Sequence, residues 1–566
     1  MAARNSLEDK MGDDVRPVSP AHPGETLKTA DDRALDEAAR YVAAHDEFGP
    51  MTPAQEKAIV KKIDFHVVPL LLLIATLGAV DKVQIGTASL YGFQEDNNFK
   101  GQEYSWLGSI LPVGVGTDKI AEFARLTIAD HLDCQTLCGL VPASYLVQRI
   151  PPAKLLCSAS LCWSILTICY APCRSWKGFM ALRFFLGFLE AAITPTLTMI
   201  IASFYKKEEQ PPRNALVFAY FSSILNGFFA FVVGQIPDGA PLFKWQYLYI
   251  MTGSINILAS VVLFFVLPDH PLNARFFATP EQKFHAVQRL AANRTGSLVA
   301  SGGWKWDQAV EAVLDVRVWL IVLFNVVINI PNGGLQTFGS IIINDLGFGP
   351  LESSLLTMPF GVVATGGAWA FSYWAARWRN RRTAVASIAL LLPAFGTALV
   401  YGLPRDNIPG QMVGLYFMYF YWPPYVVGIS LPQANTSGHT KKSVAYRHET
   451  AMQPHPIFTP SFAANPTNDE PGLSLVAIGY AAGNLIGPQT FRSDQAPRYT
   501  GGVVAMLAAY GACMLILGAY WAVATWENRR RDRRYGKLEA IQHEGAAVDG
   551  FVDETDMKQR NFRYMT

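Results

Sequence analysis

Long apolar runs separated by short polar turns fill the chain from about residue 63 to residue 526. A helix that crosses the hydrocarbon core of a bilayer needs about 20 predominantly apolar residues. Ten stretches meet that length: 65–85, 155–173, 178–204, 215–236, 246–267, 317–339, 354–376, 383–403, 411–430 and 501–526. Two more, 105–115 and 473–487, are apolar but too short. The polar start of the chain shows no apolar periodicity, so residues 1–62 are expected to form a disordered tail, with the first span itself directing membrane insertion.

Both short stretches adjoin polar text. Residues 116–135, GTDKIAEFARLTIADHLDCQ, hold three Asp, one Glu, a Lys, an Arg and a His. Each central Asp, Lys or Arg costs about 2.5 to 3.5 kcal/mol in lipid, so this segment does not cross it. Without it, SWLGSILPVGV joins TLCGLVPASYLV, which is 11 plus 12 residues and one normal span. Without 447–475, SVAY joins VAIGYAAGNLIGPQTF, which is 4 plus 16 residues. Two independent excisions each restore a helix of spanning length. The preferred reading is that both segments are translated, unspliced introns; the alternative is real loops with broken helices at spans two and eleven.

Twelve spans with both termini in the cytosol put 17 Lys and Arg on inner connections and eight on outer ones. The tail opening ENRRRDRR also falls inside. That bias follows the positive-inside rule. The long inner connection 268–316 divides the chain into six-span halves, 63–267 and 317–526, followed by a cytosolic tail, 527–566. Basic turns recur at matching places, LVQRIPPAK after span two and ARWRNRR after span eight. A 6+6 layout of this kind belongs to two-fold repeat transporters. The sequence therefore predicts an all-α integral membrane protein.

Ionisable and amide residues inside spans mark candidate chemistry, because lipid penalises them unless they face a cavity or a partner. Arg183 and Glu190 lie seven residues apart on span four, on one helical face. Arg presents a fork that suits a carboxylate, and Glu190 in a low-dielectric site suits loading and release of a proton. A structural Arg–Glu pair is the alternative. Asp81, with Lys82, ends predicted span one, either as a second proton or substrate group or as half of an interfacial pair. Asn325, Asn329, Asn332 and Gln336 share one face of span seven, beside the helix-disturbing Pro331, Gly333 and Gly334. Such amides bind ureido, amide or carboxylate groups, or other helices. Tyr416 and Tyr419 on span ten are candidates to lie against a flat substrate. Asn484 is the polar residue of the small-residue run GYAAGNLIG, whose glycines suit close helix packing.

Composition narrows the function classes. Charged residues make up 16% of the 566, against about 25% in soluble domains. A net charge of +2 gives no nucleic-acid field. The seven cysteines lack paired metal spacing, and no HExxH motif is present, so neither a metal nor a cofactor is expected and the chain does not read as an enzyme. The run Gly438-His439-Thr440-Lys441-Lys442-Ser443 half-resembles a phosphate loop, but Thr440 precedes Lys441 and the flanks are membrane helices. His439, Lys441 and Lys442 read instead as a topological anchor and gating turn between spans ten and eleven.

The stretches ALRFFLGFLEAAITPTL (181–197), VLPDHPLNARFF (266–277), QANTSGHTKKSVAY (433–446) and GYAAGNLIGPQTF (479–491) resemble the fungal allantoate permease group. That group lies in the anion:cation symporter branch of the major facilitator superfamily. The resemblance runs from about Ile63 to Trp526, apart from the two polar segments. At the place of Asp81-Lys82 the group usually carries Asp-Arg. The resemblance implies the major facilitator fold and proton-coupled uptake of a small organic anion through the plasma membrane by a monomer. Allantoate or a related ureido carboxylate is the first candidate; nicotinate, other vitamins and small peptides are the alternatives. The rivals are a non-transporting nutrient sensor and a defective splice product.

Overall fold

The structure is a computed structural model, and it describes residues 41, 48, 51–109, 146, 150–206, 209–217, 219–291, 305–378, 380–437, 441, 444–445, 475–536, 555–559 and 562–566. Among these residues every regular element is helical. Segment 116–135, all of 447–475 except Leu475, and the candidates His439 and Lys442 lie outside the described residues.

The chain begins its ordered course with an entry helix, Pro53–His66. Residues 53–62 therefore depart from the disordered tail that composition predicts. The reason is local: Thr52 caps the helix in a reciprocal box with Gln55, Pro53 occupies the first turn, and Ile59 and Ile63 are buried. Two ion pairs fasten it to the ends of spans four and five, Glu56 to Lys206 and Asp64 to Arg213, the latter at 2.7 Å.

Span one follows as Val68–Ser89, and span two is described only at its start, Glu103–Ser109. Spans three, four and six are Pro152–Ile168, Trp176–Phe204 and Lys244–Val266. Span five is broken into Gln210–Val217 and Ser222–Gly234. In the second half, span seven is Val316–Asn344, span eight is Pro350–Leu356 with Met358–Arg377, and span nine is Arg382–Gly402. Span ten is Ile408–Met418 and Trp422–Asn435 about a short 3-10 turn; span eleven is Leu475–Gln489; span twelve is Thr500–Tyr535. Among the described residues, six helical stretches are long and apolar enough to cross a membrane, taking in spans one, six, seven, eight, nine and twelve. The lipid face is legible on span six, where Leu258, Val261, Val262, Phe264, Phe265 and Val266 are all exposed. Such a stripe serves a bilayer and would be an aggregating patch in water.

Span twelve runs to Tyr535, beyond its predicted end at Trp526, because ENRRRDRR continues the helix. Glu527 and Arg531 pair across one turn at 3.2 Å, and Arg531 is almost fully buried.

Hydrogen bonds joining the two halves gather toward the end of the bundle away from the entry helix. Tyr104 donates to the Thr337 carbonyl at 3.0 Å, Ser105 to the Phe491 carbonyl at 3.3 Å, and Tyr91 meets Ser354 at 3.1 Å. Glycines permit this approach: a Cβ on Gly86 would lie 2.9 Å from the Thr337 oxygen, and one on Gly227 would lie 2.6 Å from the Ser354 oxygen.

Candidate functional site

Asp81 and Lys82 do not end span one. The helix continues through VQIGTAS to Ser89, because its later polar side chains find partners: Gln84 donates to Thr252 at 3.0 Å and Thr87 to Asn226 at 3.2 Å. The two charges therefore sit within the bundle, and each meets a different neighbour.

Asp81 faces spans three and four. Its carboxylate accepts from Thr167 at 2.7 Å and from the Trp163 indole, and it lies within electrostatic reach of Arg183. Arg183 is 7% exposed, its guanidinium 5.9 Å from the centre of the Tyr170 ring, and its Nε has no hydrogen-bond partner. A buried cation with an unused donor is uncommon, since buried polar atoms are normally paired. Lys82, one residue on, points elsewhere and forms an ion pair with Glu190 of span four. Their side chains are 34% and 32% exposed, although both lie well inside long helices. Lys82 also lies within electrostatic reach of Tyr220 in span five and Tyr480 in span eleven. The pair therefore borders an accessible space between the halves rather than lipid.

Thus Arg183 and Glu190 share a helix but not a partner. Between spans one and four the structure places an open ion pair, Lys82 with Glu190, and a buried Asp81 within electrostatic reach of Arg183.

The second half supplies an amide ladder. Asn325 donates to the Val476 carbonyl at 2.6 Å, and Asn329 to the Asn325 side chain at 2.9 Å. Asn332 donates to Asn329 at 3.1 Å and to Asn484 at 2.8 Å, and accepts from Gln336 at 2.7 Å and Tyr421 at 2.6 Å. Asn325, Asn329 and Asn332 are at most 1% exposed, so their capacity is spent in joining spans seven, ten and eleven. Gln336 and Asn484 are only partly buried and form the ladder's open edge.

The ladder exists because spans seven and eleven meet backbone to backbone. A Cβ on Gly479 would lie 2.8 Å from the Val322 oxygen, and one on Gly333 would lie 2.7 Å from the Asn484 oxygen. Cβ atoms on Gly483 and Gly487 would collide with the Val326 and Ile330 carbonyl oxygens. Small residues at four-residue intervals allow this approach.

Of the candidate tyrosines, Tyr419 stacks on Phe360 with ring centres 3.7 Å apart and donates to the Leu335 carbonyl at 3.1 Å. Tyr416 donates to the Leu356 carbonyl at 3.2 Å. Both bind the span to its neighbours. The rings closer to the ion pair are ones that sequence reasoning passed over. Trp422 stacks on Tyr425 at 5.0 Å and lies 5.7 Å from Tyr220, and Tyr425 lies 6.4 Å from Tyr480. The available signal was that Trp422 and Tyr425 lie three apart on one face of span ten.

Lys441 is not an exposed turn residue. Its side chain is fully buried, with Glu311 and Asp315 each at 2.9 Å and Asp556 at 2.8 Å. Burial opposes the Lys441 charge, but Asp556 and Asp315 outweigh it and raise its affinity for the proton. For Asp315 burial acts the other way and is likewise outweighed: Arg317 and Lys441 hold it below the usual carboxylate range.

Among the described residues no group of His, Cys, Asp and Glu is placed to hold a metal ion. The sequence profile of the Major Facilitator Superfamily matches residues 70–442. The MFS-type transporter cnsL of Penicillium expansum is 36% identical over 512 residues, spanning 90% of this chain and 88% of its own. The allantoate permease of Saccharomyces cerevisiae is 30% identical, over 94% of this chain and 90% of its own. A crystal structure of a bacterial homolog of the human lysosomal transporter Spinster aligns with a TM-score of 0.51 at 14% identity, covering 83% of this chain and 97% of that one.

Proposed function

We propose, from the premise that this chain belongs to the Major Facilitator Superfamily and is a membrane transporter rather than an enzyme, that it couples a proton to uptake of a small organic anion. The relatives and the twelve-span plan support the transporter; the crossed charges between spans one and four support the coupling.

The observation that carries the reading is the half-accessible Lys82–Glu190 pair beside the buried Asp81 and Arg183. With Glu190 ionised, Lys82 is neutralised internally and offers little to an anion. A proton on Glu190 removes the carboxylate's charge and leaves Lys82 as a free cation facing the space between the halves. A substrate carboxylate then takes the place of Glu190 on Lys82. Loss of the proton on the other side restores the internal pair and expels the anion. The ligand can shift this equilibrium only by its differential affinity for the two states, which the exchange of ion-pair partners provides. Gln336 and Asn484, at the open edge of the ladder, suit the ureido or amide part of an allantoate-like substrate. The flat rings of Trp422, Tyr425 and Tyr480 favour a planar carboxylate such as nicotinate as the second reading.

Both termini are assigned to the cytosol and the protein to the plasma membrane, in accord with the Lys and Arg bias. The test is uptake of labelled allantoate, ureidosuccinate, dipeptides, nicotinate and pantothenate in uptake-deficient yeast. The chain is expressed with and without residues 116–135 and 447–475, and growth is expected only from the excised form. For the coupling, Glu190→Gln should abolish pH-dependent accumulation while retaining anion binding or exchange. Wild-type pH dependence in that variant would refute the role of Glu190.

A further inference from the structure

Far from the transport pathway, residues 555–559 and 562–566 lie in a groove of the second half, on the side of the entry helix. The segment reads TDMKQRNFRYMT from Thr555 to Thr566. Two of its side chains fill matched receptors. Asp556 is 1% exposed and meets Lys441 at 2.8 Å and Arg317 at 2.9 Å. Tyr564 is 3% exposed and lies between two guanidiniums, Arg317 at 3.7 Å and Arg531 at 4.8 Å from its ring centre. Its hydroxyl donates to Asp556 at 2.9 Å and accepts from Arg531 at 2.9 Å.

The backbone of the segment is read as well. Asn528 pairs with both the N–H and the carbonyl of Tyr564 at 2.8 Å. Asn435 does the same for Met565, at 2.6 and 2.7 Å. Arg531 donates to the carbonyls of Asp556, Gln559 and Phe562. Paired amides on main-chain groups, a charged receptor for one acid and a cation sandwich for one aromatic are the ingredients of peptide recognition. The receptor draws on spans seven, ten and twelve, on Lys441 and on the linker helix Trp306–Leu314, all belonging to or attached to the second half.

We propose that this groove is a peptide-recognition site whose resident ligand is the chain's own residues 555–559 and 562–566. The segment is a detachable strap and not part of the helical bundle. The groove discriminates by an acid, Asp556, followed eight residues later by an aromatic, Tyr564. Lys441 and Arg317 share the strap's Asp556, and Arg531 pairs with Glu527, so withdrawal of the strap removes an acid that bridges two of the receptor's buried cations.

The test uses the full chain with a protease site placed between residues 540 and 550, purified in detergent and cut. The freed segment should stay with the protein through gel filtration, as read by mass spectrometry. Excess synthetic TDMKQRNFRYMT should displace it. Asp556→Asn and Tyr564→Ala should each shorten its retention by about tenfold or more, since each strips partners from a buried cation. In the uncut chain, the amides of Tyr564 and Met565 should exchange slowly with solvent. Loss of the segment at the first passage from protein that keeps its thermal transition would overturn the proposal, and so would equal retention of wild-type and substituted segments. Since the readout is binding, failure here leaves the transport reading untouched, and failure of transport leaves this one standing.

Discussion

Replacing Gly483 by alanine adds one methyl group at the closest point of the seam between spans seven and eleven. The added carbon would overlap the Val326 carbonyl oxygen and lie 2.6 Å from the Cβ of Asn329. Ordinary carbon contacts begin near 3.5 Å, and neither neighbour is the end of a flexible chain, so one helix must shift by about 1 Å. Overpacking of this kind costs about 1–3 kcal/mol. The shift also strains the 2.8 Å bond from Asn332 to Asn484, worth about 1 kcal/mol. Alanine returns at most about 1 kcal/mol of helix propensity. The net expectation is a loss of about 1–3 kcal/mol. Gly518→Ala on span twelve is the control, because nothing lies within 4 Å of its added carbon. Gly479→Ala, with its nearest contact at 2.8 Å, should fall between the two. The assay is thermal unfolding in detergent followed by tryptophan fluorescence. A drop of several degrees is expected for Gly483→Ala, with none for Gly518→Ala. Equal transitions for these two variants would refute the packing argument.

Other outcomes follow from the same geometry. Lys441→Met should destabilise by about 3–5 kcal/mol, because it removes the common partner of three acids; calorimetry or chemical denaturation checks this. Lys558→Ala, which removes an exposed pair with Asp307, should move the transition far less than Lys441→Met. Asp345, after span seven, has its pKa raised by burial to about 6 despite Arg405. An acid that is harder to ionise when folded stabilises most below its unfolded pKa, and that contribution is lost as pH rises through about 6. Asp345→Asn should flatten the stability profile between pH 4 and 6. Asp315 behaves oppositely: its lowered pKa gives a contribution that is present above the usual carboxylate range and lost on acidification through it, so segment retention should fail in strong acid. Tyr421→Phe, which removes the 2.6 Å bond to Asn332, should cost about 1 kcal/mol.

The spans were legible in the sequence because lipid imposes a length and a composition on each, and even the glycine seam announced itself as GYAAGNLIG. Periodicity also identified Arg183, Glu190 and the amides of span seven as residues on chosen faces. It could not say which helix lies opposite a face. The sequence therefore leaves a structural Arg183–Glu190 pair open as the alternative, whereas the structure pairs Glu190 with Lys82 and sets Arg183 within electrostatic reach of Asp81. Lys82 reads only as Asp81's companion at the end of span one, because apolar text thins out there and the pairing of Gln84 and Thr87 is what carries the helix further. The entry helix was hidden by its charge, whose capping box and two ion pairs outweigh its few apolar residues. Lys441 and the segment TDMKQRNFRYMT each look like solvated text alone. Their burial depends on charge complementarity between positions more than a hundred residues apart, which no local window reports.

The seam between spans seven and eleven has a consequence for energy coupling. Because the two backbones touch, Gln336 and Asn484 keep a fixed separation, and on the proposed cycle that wall grips a substrate equally whichever way the protein opens. A wall of constant affinity does no thermodynamic work. On the proposed cycle, the whole difference between capture and release must then arise at the facing wall, where one proton decides whether Lys82 is occupied by Glu190 or available. On that proposal the proton gradient acts on a single pair of side chains, and the amide ladder is the fixed jaw against which it closes.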